Sequence, residues 1–429
     1  MSILIILIFI IGYIAIAFEH PLRINKAAPA IITGVLCWLI YFIYSGSEHD
    51  ANEALIHHVG EIASILFFLL GAMTIVELID AHNGFSIITE KIKTNSIPKL
   101  LLLVSILTFF LSAILDNLTT AIVMTSLCSK LLSKKEDRLW FSGMVIIAAN
   151  SGGAWSPIGD VTTTMLWIGG QITTIDIILN TFIPSLVVCL IPMLLLMYKF
   201  KGKTVEIGTD NTDKVLDVHS EKADVVLAAG LILLMAVPVI KTVTHLPPFM
   251  GMLFALGIMW VITTVIHFNK QPNHKIKYSV SHALQRIDTP SILFFLGILL
   301  AVAALQSFGS LTIAATFLET HLKNDYLIGT ALGVLSAIID NVPLVAAAQG
   351  MYQIDEFPVN HPFWQFLALT SGTGGSMIII GSAAGVAVMG IEQIDFMWYL
   401  KKISWLAAAG YFAGIFSFIL QQYLMKLYL

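Results

Sequence analysis

The chain has 429 residues, 57% of them hydrophobic and 12% charged, with a mean hydropathy of +0.86 and a formal net charge of -4. This balance excludes a soluble globular protein and identifies an all-α polytopic membrane protein whose constant partner is the lipid bilayer. The mild negative charge argues against a nucleic-acid partner, and Cys37, Cys128 and Cys189 stand apart in apolar runs as small buried hydrophobes, with no disulfide framework implied.

In chain order, residues 1–18 form a first apolar helix. Ala15 and Ala17 near its end suit a signal peptidase, but no Lys or Arg opens the segment, so it reads as a retained helix. Spans follow at 27–44 and 59–79, each near the 20 or so apolar residues that cross a bilayer. Asp80 sits at the expected cytoplasmic end of the second, with Glu77 one turn deeper, placed to feed protons inward. Residues 100–129 are interrupted by "LSAILDN" at 111–117, and residues 139–168 by "NSGGAWSPIGD" at 150–160. In the latter, Gly152 and Gly153 permit unwinding, Pro157 removes a donor, and Asn150, Ser151 and Ser156 offer oxygens. After a span at 176–198, the polar stretch 200–222 reads as a solvated cytoplasmic linker. Spans recur at 223–241, 247–268 and 289–307. Residues 326–352 then carry "LSAIIDN" at 335–341, and 362–390 carry "TSGTGGSMIIIGS" at 370–382, with Ser371, Thr373 and Ser376 as oxygen donors. A span at 403–425 closes the chain.

Charge orients these elements. Twenty of the 23 Lys and Arg fall in 19–26, 80–99, 130–138, 199–222, 269–288 and 391–402, which places those loops in the cytoplasm. The segments 45–58, 169–175 and 353–361 hold none and face outside. Since 80–99 and 130–138 share a side, residues 100–129 must leave and re-enter it as a re-entrant hairpin. The segment 326–352 is its counterpart, entering from outside. "ILFFLLGAM" at 65–73 also resembles "ILFFLGILL" at 292–300, so three pairs of motifs repeat in the same order. The expected architecture is therefore two repeats, 1–199 and 223–429, each with about five spans, one of them discontinuous, plus a hairpin. An odd number of crossings inverts the second.

Inverted repeats with helices broken near the midplane are the construction of secondary transporters. Asp116, Asp160 and Asp340 fall on the interruptions, where an ionised carboxylate costs at least ~2.5 kcal/mol unless it meets water, an ion or a partner. Helix capping alone would explain the hairpin Asp residues, yet Asn117 and Asn341 next door cap equally well, so ion contact is the favoured reading. Carboxylate, amide, hydroxyl and carbonyl oxygens suit a hard monovalent cation, Na⁺ or Li⁺, and the same carboxylate can instead hold a proton. Competition between the two occupants is an exchange mechanism. The site set is Asp116, Asn117, Asp160, Asp340 and Asn341, supported by Thr119, Thr120 and the oxygens above, with the cation at Asp116, Asn117 and Asp160. The twelve histidines lie mostly in loops or at span ends and suggest no metal centre.

The stretches "LDNLTTAIVMTSL", "NSGGAWSPIGDVTTTMLW", "LSAIIDNVPL" and "SGTGGSMIIIGSAAGV" resemble those of the NhaD-type sodium/proton antiporters of the ion transporter superfamily. The resemblance implies Na⁺(Li⁺)/H⁺ exchange in a bacterial inner membrane, inverted repeats with hairpins, and a homodimer of static scaffolds and mobile transport domains. "VELIDAHNGF" at 76–85, with Glu77 and Asp80, resembles a further motif of that family. The rivals within the superfamily are a sodium-coupled dicarboxylate or other anion transporter and an arsenite-type exporter. Arg23, Arg138 and Arg286 all fall in loops, leaving no guanidinium in the core to capture a carboxylate. No nucleophile and base at motif spacing suggest an enzyme, no Gly-rich phosphate loop is present, and no cofactor is expected.

Overall fold

The computed structural model describes residues 2–89, 94–204, 222–269, 276, 278–352 and 354–428. Most of the 200–222 linker therefore lies outside the described residues. Where no water is available, backbone groups must be satisfied within the segment, and the described residues accordingly fold into helices, with a lone β-bridge between Ser96 and Thr204.

The first half comprises α1 (Ser2–Ala17), α2 (Ala27–Tyr44), α3 (Glu48–Ala81), α4 (Ile97–Leu115), α5 (Asn117–Leu131), α6 (Lys135–Gly153), α7 (Val161–Ile168) and α8 (Thr174–Lys199). Helix α3 starts well before its apolar stretch because Ser47 accepts a hydrogen bond from the Asp50 amide and Glu48 and Asp50 complement the helix dipole in the first turn. The expected outer loop 45–58 is thus largely helical. Helix α4, expected as a hairpin arm, has 19 residues and is one of eight helices among the described residues that are long and apolar enough to cross a membrane, whereas α1 has 16. The start of α4 is nevertheless tied to the end of α8 by an Ile97 N–H bond to the Lys203 carbonyl, while three residues join the end of α5 to α6. The Lys199 ammonium at the end of α8 lies over the Trp140 ring near the start of α6. Both ends of the α4–α5 unit therefore meet one face of the protein.

The second half comprises α9 (Ala223–Thr244), α10 (Pro248–Ile266), α11 (Val280–Arg286), α12 (Thr289–Ser307), α13 (Ser310–Leu322), α14 (Asp325–Leu335), α15 (Asn341–Met351), α16 (Pro362–Gly374), α17 (Ala383–Glu392), α18 (Phe396–Lys402) and α19 (Ser404–Tyr428). On the opposite face, the Asn360 amide bonds to the Gln171 carbonyl, and the Asn360 side chain accepts from the Thr173 amide, joining the connections before α8 and α16.

Two packed groups result. Helices α1, α2, α3, α9, α10 and α12 pack on one another, and α4 to α8 pack with α14 to α17 and α19. Within the second group the halves interlock: α5 lies against α17, and α15 lies against α7. Glycine sets the closeness of these contacts. A Cβ on Gly152 would sit 2.2 Å from the Phe109 carbonyl oxygen, and one on Gly374 would sit 2.0 Å from that of Gly333. Gly152 and Gly153 therefore remain inside α6 as packing residues, and the break begins after them, at Ala154; the unwinding expected at that pair is displaced by one residue.

Candidate functional site

Four helices, α5, α7, α15 and α17, begin inside the second group, and each is capped by its own preceding residue. Asp116 accepts from the Thr119 amide at 2.8 Å and from the Thr119 hydroxyl at 2.9 Å. Asp160 accepts from the Thr162 amide at 3.3 Å, Asp340 from the Val342 amide at 3.3 Å, and Ser382 from the Gly385 amide at 3.1 Å. Helix N-termini carry partial positive charge and favour anions. Three of the four here already hold a carboxylate of the chain itself.

Two sets of side-chain hydrogen bonds join these starts in pairs across the halves. Asn117 donates to Asn150 at 3.1 Å, and Asn150 donates to Ser376 at 2.9 Å and to Ser382 at 3.0 Å. On the other side Asn341 donates to Asp160 at 3.4 Å. Asp160 is 1% exposed and lies within electrostatic reach of both Asp340 and Asp116. The Thr120 hydroxyl is buried with no hydrogen-bond partner among the described residues. Asn117, Asn150, Ser376, Asp160 and Asn341 are thus brought together, and Thr119 is tied to Asp116. Ser156 lies in the break, its hydroxyl facing the Ile158 amide. Ser151, Ser371 and Thr373 instead turn their hydroxyls back on the carbonyls of Ile147, Leu367 and Leu369, which commits those hydroxyls to their own helices.

Asp340 differs from its counterparts. Its carboxylate pairs with the Lys26 ammonium at 3.1 Å, and its backbone N–H donates to the Tyr13 hydroxyl at 3.0 Å. Neither partner is legible in the sequence, where Lys26 stands just before a span and reads as a topogenic loop charge. Ser382 and Thr162 also join the site; the alignment of the two breaks is the signal that finds Ser382.

Glu77 and Asp80 line a cavity of about 350 Å³ with Thr119, Lys130 and Arg286. Thr119, whose amide and hydroxyl bond to Asp116, is thus part of its lining. Arg286, expected as a plain loop arginine, pairs with Glu77 at 2.9 Å. Arg138, inside the first turn of α6, pairs with Glu392 at 3.1 Å. A second cavity, about 830 Å³, opens on the other face between His58, Glu61, Gln171, Lys241, Gln349 and Asp355. Beside it His57, His58 and Glu61 bring ligand atoms within 4.8 Å of one another, a convergence that reading the histidines as isolated overlooks.

A family model described as a citrate transporter, CitMHS, matches residues 5–374. The chain is 48% identical to sodium/proton antiporter 1 of Arabidopsis thaliana over 417 residues, covering 96% of this chain and 71% of that protein. It is 45% identical to sodium/proton antiporter 2 of the same plant over 415 residues, 96% of this chain and 98% of the relative. With the Na⁺/H⁺ antiporter NhaD of Alkalimonas amylolytica it shares 30% identity over 443 residues, 96% of this chain and 88% of the relative.

Proposed function

The chain belongs to the CitMHS transporter family, and from that membership we propose a secondary transporter that exchanges Na⁺ for H⁺ across the membrane. The observation that carries this reading is the buried Asp160, facing the Asn341 amide and within electrostatic reach of Asp116 and Asp340. Helix N-termini left open would suit an anionic substrate; filled by carboxylates, they present a centre that repels dianions and attracts a small cation. Lys26 offsets one of the three charges, so the surplus lies with Asp116 and Asp160.

In this reading Na⁺ or Li⁺ takes oxygens from Asp116, Asp160, Asn117 and the Thr120 hydroxyl. A proton on either carboxylate removes the charge that holds the cation, so the two occupants exclude each other and net transport is exchange. The cavity lined by Glu77 and Asp80 reaches Thr119, the residue bonded to Asp116, and serves the inner face in this reading, while the larger cavity opens to the other face. The paired ends of α4–α5 and the recurring break positions support a re-entrant hairpin in each of two inverted repeats. The relatives named sodium/proton antiporter from a plant and from a bacterium are both consistent with a membrane that sustains a proton gradient, of which the bacterial inner membrane is one. A homodimer completes the reading.

Proteoliposomes that hold a pH gradient test it. Proton movement triggered by Na⁺ or Li⁺, absent with K⁺ and with a dicarboxylate, is the expected result. A response to dicarboxylate alone would replace exchange with anion transport.

A further inference from the structure

Asp116 and Asp340 occupy the same place in the two hairpins and are built differently. Asp116 has φ 86 and ψ 158 and is answered by Thr119 of its own helix. Asp340 has an ordinary φ of -49, and its partners come from the other packed group. Lys26 precedes α2, Tyr13 belongs to α1, and the Lys26 ammonium also lies 4.2 Å from the centre of the Phe294 ring on α12. The side chains of Lys26 and Asp340 are 18% and 12% exposed, so water screens the pair weakly.

The two cavities give that placement its meaning. Each lies between the α1–α2–α3–α9–α10–α12 group and the group of broken helices, one opening at Glu77 and Lys130, the other at His58 and Gln349. They mark the two ends of one seam, and the Lys26–Asp340 pair crosses it.

We propose that the Lys26–Asp340 pair is an ionic latch that ties the tip of the second hairpin to α1, α2 and α12, and that it parts and re-forms in each transport cycle. Lys26 is then a positioning residue, and Asp340 is its partner instead of a ligand of the transported ion. The inference rests on the exchange reading above. A carboxylate already held by a tethered ammonium gains little from Na⁺, because an arriving ion would strand Lys26 without its counter-charge. Removing one member of such a pair leaves the other uncompensated, whereas removing both costs far less.

The test compares Lys26→Met, Asp340→Asn and the double variant in proteoliposomes, with Ile339→Cys as a reporter labelled by a maleimide. Each single change should slow exchange by about tenfold while leaving apparent Na⁺ affinity within about twofold, and the double variant should exchange faster than either. Maleimide labelling of Ile339→Cys should accelerate in Lys26→Met and stay at the parental rate in Asp160→Asn. The latch is overturned if Asp340→Asn weakens apparent Na⁺ affinity as much as Asp160→Asn does while Lys26→Met behaves as the parent, since Asp340 would then be a ligand. It is equally overturned if labelling is unchanged in Lys26→Met. Should the parent protein exchange no Na⁺ at all, the exchange reading fails, and the labelling comparison still decides the latch.

Discussion

Asp116 holds φ 86 and ψ 158, a backbone region that glycine enters freely and other residues enter at a cost of roughly 1–3 kcal/mol. The strain buys a carboxylate at the start of α5, and two substitutions separate its roles. Asp116→Gly relieves the strain and gives up only a few tenths of a kcal/mol of capping, so the purified protein should be more stable by about 1 kcal/mol and yet inactive. Asp116→Asn keeps a capping oxygen and loses the charge; exchange should collapse while thermal stability stays near that of the parent. Survival of exchange in either variant would reduce Asp116 to a cap. The other halves of the pseudo-equivalent breaks behave unequally too. Asp160 is a buried carboxylate against Asn341, whereas Ser382 accepts from Gly385 and Asn150. Asp160→Asn should therefore abolish exchange and Ser382→Ala only slow it, at matched expression; the opposite order would move the cation site to the second half.

At the scale of elements, the ends of α3 and α10 are joined by a contact between two histidines. His82 and His267, just past the two helices, face each other at 2.9 Å between their Nε2 atoms, and Tyr278 packs 4.7 Å from both rings. Burial holds the His82 imidazole below its usual range, opposed by the hydrogen bond to the Leu78 carbonyl. The folded protein thus resists a proton that the unfolded chain accepts. The contribution of the neutral His82 is complete above about pH 6.5, the ordinary histidine value, and is lost as pH falls below it. Melting temperature in detergent should drop between pH 7.5 and 5.5, and part of that drop should vanish in His82→Gln; an identical slope in the variant would remove His82 as its source. A different pair joins α6 to α17, where Glu392, 6% exposed, meets Arg138. Arg138→Ala strands that carboxylate and should cost about 3 kcal/mol, more than Arg138→Ala with Glu392→Gln.

For the molecule as a whole, the two cavities open on opposite faces, one lined by Thr119 beside Asp116 and the other by Met165 and Gln349 of the helices that follow Asp160 and Asp340. Cysteines placed at 131–137 should label from the cytoplasm and those at 354–359 from outside. Labelling of 131–137 from outside would break the hairpin between α4 and α5 and the inverted count with it. Competition at shared carboxylates also makes apparent Na⁺ affinity fall as the medium is acidified, because protonation removes the charge the ion needs. A flat affinity between pH 6 and 9 would give the proton a separate route, for which Glu77 is positioned.

Apolar run length and the placement of Lys and Arg determine, without any coordinates, that this chain spans a membrane and where its polar interruptions fall, because hydrocarbon admits neither unpaired backbone nor idle charge. The carboxylates Asp116, Asp160 and Asp340 are legible for the same reason. What the sequence leaves open is which distant group each side chain meets. Ser151, Ser371 and Thr373 carry the right oxygens and spend them on their own helices, while Lys26 crosses more than three hundred residues of chain to reach Asp340. Those outcomes depend on rotamer direction and on the packing of one helix group against another, and such contacts leave no local pattern in a sequence. The glycine pair before the first break shows the same limit: permissive backbone looks alike whether it unwinds or packs, and only the Phe109 carbonyl pressed against Gly152 decides for packing.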